Sequence, residues 1–188
     1  MNNIGNIYYS WQKYERALNY YFQAIEILDQ QKDSSELLSY EINIGSAYLG
    51  LDDFENAKTY YQKALKHAKR IGNKHMVTSC LINIGVLYFI QKDYTKAINY
   101  YNDACAMAKE LESKLELAYA LRNLGETYME LGELKKSQDY LLKSKSIAED
   151  ETLNALLSEI YSFLHEIEKK QNNFKKALDY HVKFTELK

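Results

Sequence analysis

From Leu38 onward the apolar residues Leu38, Ile42, Ile44, Gly45, Tyr48 and Leu49 fall at helical spacing, and nothing in the stretch alternates as a strand does. Gly50-Leu51-Asp52-Asp53 interrupts this pattern, which then resumes at Phe54, Ala57, Tyr61, Ala64, Leu65 and Ala68. Two helices joined by a tight turn are predicted, and the same phrase returns every 40 residues. Ala17, Ala57, Ala97, Ser137 and Ala177 form one column, Tyr8, Tyr48, Tyr88 and Tyr128 a second, and Gly5, Gly45, Gly85 and Gly125 a third. Asn3, Asn43, Asn83 and Asn123 stand two residues before the glycines. A unit of this size cannot bury its apolar face alone, so a fixed period means a stacked array. The expectation is an all-α fold, a right-handed α-solenoid of five helix-turn-helix repeats and about ten helices, forming one domain over 1–188. The repeats fall near 1–33, 34–73, 74–113, 114–151 and 152–188, and the chain reads as a segment of something longer.

Local chemistry agrees with this division. Asp53 and Asp93 stand where an N-cap is wanted for a second helix, and Asp52-x-x-Glu55 has the form of a capping box. Asp33-Ser34-Ser35, Gly72-Asn73-Lys74 and Glu112-Ser113-Lys114 are short polar links between repeats. A glycine inside a helix costs about 1 kcal/mol relative to alanine, so four at one phase predict close helix approach. The tyrosine three residues on shares that face and can pack over the gap. Tyr20-Tyr21, Tyr60-Tyr61 and Tyr100-Tyr101 should each turn one ring inward and its neighbour about 100° away. In the fifth repeat Phe163, His165 and Glu168 replace the asparagine, glycine and tyrosine, as expected of a terminal, capping unit.

Charge and composition narrow the function. Lys+Arg 24 against Asp+Glu 26 leaves a net charge of -2 with no basic run, which argues against nucleic acid as a partner. No stretch of about 18 apolar residues and no signal peptide is present, so no membrane partner is expected and a cytoplasmic location is the expectation. Cys80 and Cys105 have no C-x-x-C spacing and read as small buried hydrophobes. His67, His75, His165 and His181 do not make a zinc-site pattern; His165-Glu166-x-Glu168 is better explained as a solvated capping helix than as a metal site. No phosphate-binding glycine loop and no nucleophile elbow occurs. Neither an enzyme nor a cofactor or metal is expected.

The phrase N-[IL]-G-x-x-Y followed by [DE]-[FYL]-x-x-[AS]-x-x-[YF]-[YL]-x-x-[AS] resembles the tetratricopeptide repeat (TPR), over the whole chain and weakly in the fifth copy. The period of 40 in place of the commoner 34, and the complete absence of proline, are similar to the long-helix repeats of kinesin light chain, of spindle-orientation scaffolds and of bacterial signalling proteins. In this family the first helices line a concave groove, and the resemblance implies that Asn3, Asn43, Asn83 and Asn123 point into it. The helical phase agrees, since each lies roughly 150° from the middle of the Gly/Tyr packing face. An amide both donates and accepts, so such a ladder can hold the backbone of a threaded peptide, with rungs on the order of 10 Å apart. The alternative is that the amides bond neighbouring helices and fix the superhelix.

The resemblance implies further groove positions at Ile42, Ser46, Ile82, Val86, Phe89, Tyr119, Arg122, Glu126 and Met129. Asn2, Ile42, Ser79 and Ile82 occupy places where the chaperone-tail clamp of TPR co-chaperones has lysines, so that mode is not expected. The resemblance implies a scaffold or sensor module that takes a protein or peptide ligand, in bacterial signalling; a purely architectural, self-associating array is the second reading. Ile4, Ile7 and Tyr8 at one end, and Leu178, Val182, Phe184 and Leu187 at the other, are expected to lie uncovered and to support self-association through the ends.

Overall fold

A computed structural model describes residues 2–28 and 35–187, with the side chain of residue 2 left aside. Asp33 and Ser34 of the first link lie outside the described residues. Ten helices follow one another among the described residues: α1 (Asn2–Ser10), α2 (Tyr14–Leu28), α3 (Ser35–Gly50), α4 (Phe54–Arg70), α5 (Lys74–Ile90), α6 (Tyr94–Glu110), α7 (Lys114–Glu130), α8 (Leu134–Asp150), α9 (Asn154–Lys170) and α10 (Phe174–Glu186). No strand occurs among them. The chain forms two compact units, 1–91 and 92–188.

Tight turns and side-chain caps start the helices. Asp53 Oδ1 accepts from the Asn56 amide at 3.1 Å, Asn73 Oδ1 from the Met76 amide at 3.1 Å, and Asp93 Oδ1 from the Lys96 amide at 3.2 Å, each satisfying a donor that the first helical turn leaves open. The capping box does not form, because Asp53 is the cap and Asp52 occupies the left-handed region at φ 58°. Asn56, not Glu55, is then the third helical residue, and its amide side chain returns to Asp53 Oδ2 at 2.7 Å.

In the first unit the buried cluster joins Ala17, Leu18, Tyr21 and Ala24 of α2 to Tyr40, Ile44 and Ala47 of α3. Glycine is required where the hairpin closes: a Cβ on Gly45 would lie 2.7 Å from the Tyr61 ring, and one on Gly5 would collide with Tyr21. The gap is therefore filled from the partner helix. The Tyr8 and Tyr48 column does something else, stacking on Tyr20 (ring centroids 5.3 Å apart) and Tyr60 (5.6 Å). Tyr21 and Tyr61 are the inward rings and Tyr20 and Tyr60 the outward ones, as the phase predicts.

In the second unit Leu141 takes the tyrosine's place, and a Cβ on Gly125 would lie 2.6 Å from its Cγ. Leu141 belongs to a cluster with Leu156, Ile160, Leu164 and Ile167 of α9. Two column alanines are replaced by serines here. Ser137 Oγ donates to the Gly125 carbonyl at 2.6 Å and Ser144 Oγ to the Ala118 carbonyl at 2.7 Å, so both hydroxyls are buried and satisfied. The fifth repeat holds a buried polar network: Glu168 is buried, accepting from Gln138 Nε2 at 2.7 Å and Asn173 Nδ2 at 2.8 Å. It is not the solvated carboxylate that the pattern predicted.

Candidate functional site

The first helices of the first unit carry a small polar cavity of about 270 Å3 lined by Asn6, Tyr9, Tyr21, Asn43 and Ser46. Its lining follows from the glycine contact. Because the Tyr21 ring packs against Gly5, its hydroxyl reaches α1 and donates to Asn6 Oδ1 at 2.8 Å. Tyr61 repeats the move over Gly45, and its hydroxyl lies 3.0 Å from Ser46 Oγ. Asn43 Nδ2 also donates to Asn6 Oδ1, at 3.2 Å, tying α3 to α1. Burial, and secondarily the neighbouring Tyr9, pushes the Tyr21 hydroxyl up to about 12; burial raises Tyr61 further against the lowering effect of Ser46. These groups are neutral at physiological pH, so the cavity offers amides and hydroxyls without charge.

The second unit is built around a charge. Arg122 on α7 donates through Nη1 to Asn123 Oδ1 at 2.7 Å and Glu126 Oε2 at 3.0 Å, and through Nη2 to Glu159 Oε2 on α9 at 2.5 Å. Its guanidinium also lies 5.4 Å from the centre of the Phe163 ring, a cation–π arrangement. Burial holds the Glu126 carboxyl above the usual carboxylate range, with Arg122 pulling the other way.

The predicted positions are spread accordingly. Asn3 is exposed, Asn43 and Asn83 are half-buried, and Asn123 is 5% exposed with its carbonyl oxygen engaged by Arg122. Ile42, Ile82, Val86 and Phe89 are half-buried on α3 and α5; Tyr119 is exposed and Met129 half-buried on α7. Asn6, Tyr9, Tyr21 and the Tyr61 hydroxyl were not predicted. The missed signal is the spacing across neighbouring first helices, which meet at i and i+37, as Asn6–Asn43 and Arg122–Glu159 both do. One repeat less one helical turn separates facing side chains, so a column at i+40 does not pair with itself.

A larger hollow of about 720 Å3 between α3 and α4 has Glu41 at its floor, 1% exposed, with Lys63 Nζ at 3.2 Å and His67 Nδ1 at 3.1 Å. Cys80 and Cys105 are buried, and burial pushes their thiols up to about 12 and about 11, away from the thiolate form. No group of three His, Cys, Asp or Glu suited to a metal occurs among the described residues, and no described helix is long and apolar enough to cross a membrane.

Models of the tetratricopeptide repeat match residues 1–30, 35–110 and 118–151. No curated protein matches in sequence. Among solved structures, a Rap protein complexed with competence and sporulation factor is 19% identical, with a TM-score of 0.87 over 99% of this chain and 52% of that one. The Rap conjugation gene regulator of plasmid pLS20, in complex with the Phr* peptide, is 16% identical, with a TM-score of 0.81 over 97% and 51%. A signal-transduction ATPase with a tetratricopeptide repeat sensor, from Pyrococcus horikoshii, is 18% identical, with a TM-score of 0.72 over 99% and 32%. The chain thus spans about half the length of the Rap proteins it matches, and identities this low establish a shared fold alone. With ten helices in phased pairs and repeat models matching along most of its length, the chain belongs to the tetratricopeptide repeat family.

Proposed function

We propose that the chain is a docking module that holds an extended peptide, or an extended segment of a protein, against its first helices, and that it serves as the sensor or scaffold part of a signalling protein. The observation that carries this reading is the uncharged cavity of Asn6, Tyr9, Tyr21, Asn43 and Ser46. Amides and hydroxyls in that arrangement suit a peptide backbone, which presents alternating donors and acceptors and no charge. Asn3 and Asn83 extend the same chemistry, while Asn123 acts through Arg122. The likeness to two Rap proteins, one in complex with a signalling factor and one with the Phr* peptide, supports the same direction.

The test is selection of binders from a random peptide library on the wild-type chain, followed by titration calorimetry. A selected peptide should lose about tenfold in affinity against Asn43→Ala, the loss of roughly one well-made hydrogen bond to a buried partner, and nothing against Lys92→Ala. Its affinity should also change little between low and high salt, since the cavity carries no charge. If no peptide is selected, or if selected peptides are indifferent to Asn43, the array is architectural.

A further inference from the structure

The hollow between α3 and α4 is made from residues that the other repeats do not carry at the same positions. Its floor is a buried carboxylate and imidazole where packing alone would serve: Glu41 and His67 occupy columns filled by Leu81 and Met107 one period on, and by Leu121 and Ile147 two periods on. Its rim is Lys63, Lys66, Lys69 and Arg70, with Leu37 as an apolar wall. The residues that correspond to these four cations are Asp103, Ala106, Lys109 and Glu110 in the third repeat, and Lys143, Ser146, Glu149 and Asp150 in the fourth. Four cations against one carboxylate, in a chain whose net charge is -2, are therefore particular to this repeat and not a property of the array. The helix dipole does not account for them either, because only Lys69 and Arg70 stand with His67 in the last turn of α4 and Lys63 and Lys66 come before it. The floor also seats one of the cations. Glu41 Oε1 lies 3.2 Å from Lys63 Nζ, which is 5.8 Å from the centre of the Tyr60 ring as well, so this ammonium is held at the hollow.

We propose that this hollow binds a small soluble molecule that carries two or more phosphoryl groups. Lysine and arginine side chains donate and cannot accept, so their ligand must bring acceptor oxygens and negative charge. A diphosphate brings both in a row, the arginine taking two oxygens in its planar fork and the lysines acting as point charges; a single carboxylate would leave most of the rim unanswered. The volume of about 720 Å3 falls within the range of small-molecule sites, about 300–1,000 Å3, and a concave hollow between two helices suits such a ligand better than the flat surface of a bilayer. Leu37 and the methylene stems of the lysines leave a place for the organic part of the molecule. The site shares no residue with the cavity proposed to hold a peptide, and it stands independently of that reading.

Titration calorimetry of the whole chain with inorganic pyrophosphate at low ionic strength tests this. One site with a Kd below about 1 mM is expected, weakening as salt is raised. Lys66→Gln and Arg70→Gln alter exposed side chains, so circular dichroism should show both folded. Each should bind pyrophosphate about tenfold or more weakly, the loss of a charge-assisted hydrogen bond. Lys92→Gln, at an exposed lysine of the other unit, should leave the affinity unchanged. Vesicles of phosphatidylcholine with a bisphosphorylated phosphoinositide separate a soluble source of phosphate from a membrane one, and they should not sediment the chain. Absence of pyrophosphate binding, an equal loss in Lys66→Gln and Lys92→Gln, or capture of the chain by the vesicles would overturn the proposal.

Discussion

The second and fourth repeats, one in each compact unit, solve one packing problem with different chemistry. Both close their hairpin on a glycine, Gly45 or Gly125, against a large side chain from the second helix. In the first unit that side chain is Tyr61, whose hydroxyl crosses the glycine and reaches Ser46. In the second it is Leu141, which has nothing to reach with. The position equivalent to Ser46 is then Glu126, and Arg122, equivalent to Ile42, answers its charge. One change on the buried side thus goes with a change of polarity on the face: uncharged amides and hydroxyls in one unit, an arginine between two carboxylates in the other. The columns of the repeat set where helices touch. In these two repeats the polarity of the face goes with whether the residue that fills the glycine carries a polar end.

The glycine contact itself is the place to strike hardest. Gly45→Leu should destabilise by about 3 kcal/mol or more, since the Tyr61 ring already lies where the Cβ would be and an overpacked core yields only with backbone movement. Gly125→Leu should cost less, about 1–2 kcal/mol, because leucine has more rotamers with which to give way than a tyrosine held at its hydroxyl. Chemical denaturation of the two variants separates these values; an equal loss from both would mean that the filling residue does not matter and that the comparison above is wrong.

Much of this scaffold is legible in the residues taken singly. The apolar spacing locates the helices, the phase of Tyr20-Tyr21 and Tyr60-Tyr61 identifies the inward ring, and Asp53 and Asp93 stand at their caps because a carboxylate there has an orphan donor to meet. What escapes such reading depends on where two helices lie relative to each other. The partner of Gly45 comes from 16 residues away, and Tyr48 on its own helix turns instead to Tyr60. Asn43 meets Asn6 and not Asn3, because facing side chains on successive first helices are offset by one turn. Glu41 and Glu168 look like surface carboxylates on a helix and are buried, each held by partners on another helix or beyond the turn. The asparagine column is regular in sequence and uneven in exposure for the same reason: Arg122 closes over Asn123.

The serines of the second unit sharpen the comparison with a smaller effect. Ser144→Ala removes a fully buried hydroxyl that donates to the Ala118 carbonyl and should cost about 1–1.5 kcal/mol. Amide hydrogen exchange reports this locally: protection should fall in α7 and α8 for Ser144→Ala while α3 and α4 are unmoved. A global loss spread evenly over both units would show that they do not differ in how they are pinned.

The smallest expected effect comes from the hydroxyl that distinguishes the two glycine contacts. Tyr61→Phe keeps the ring on Gly45 and gives up only the bond to half-exposed Ser46, so it should cost about 0.5–1 kcal/mol at neutral pH. Its signature lies at high pH. Burial raises the Tyr61 hydroxyl, and that of Tyr21 to about 12, above the value of about 10 that a tyrosine has in the unfolded chain. The folded state therefore binds these protons more tightly, its stability is full below pH 10, and it is lost as pH rises from there toward and beyond 12. A phenylalanine has no proton to lose, so Tyr61→Phe should shift the alkaline unfolding limb to higher pH and cross the wild-type curve. Tyr61→Leu, which copies the second unit, should shift the limb in the same direction but start from a deeper loss at neutral pH, because the ring that filled the glycine is gone. Parallel stability curves for wild type and Tyr61→Phe from pH 7 to pH 12 would show that the hydroxyl is not buried against α3 and that the polarity of the face has another origin.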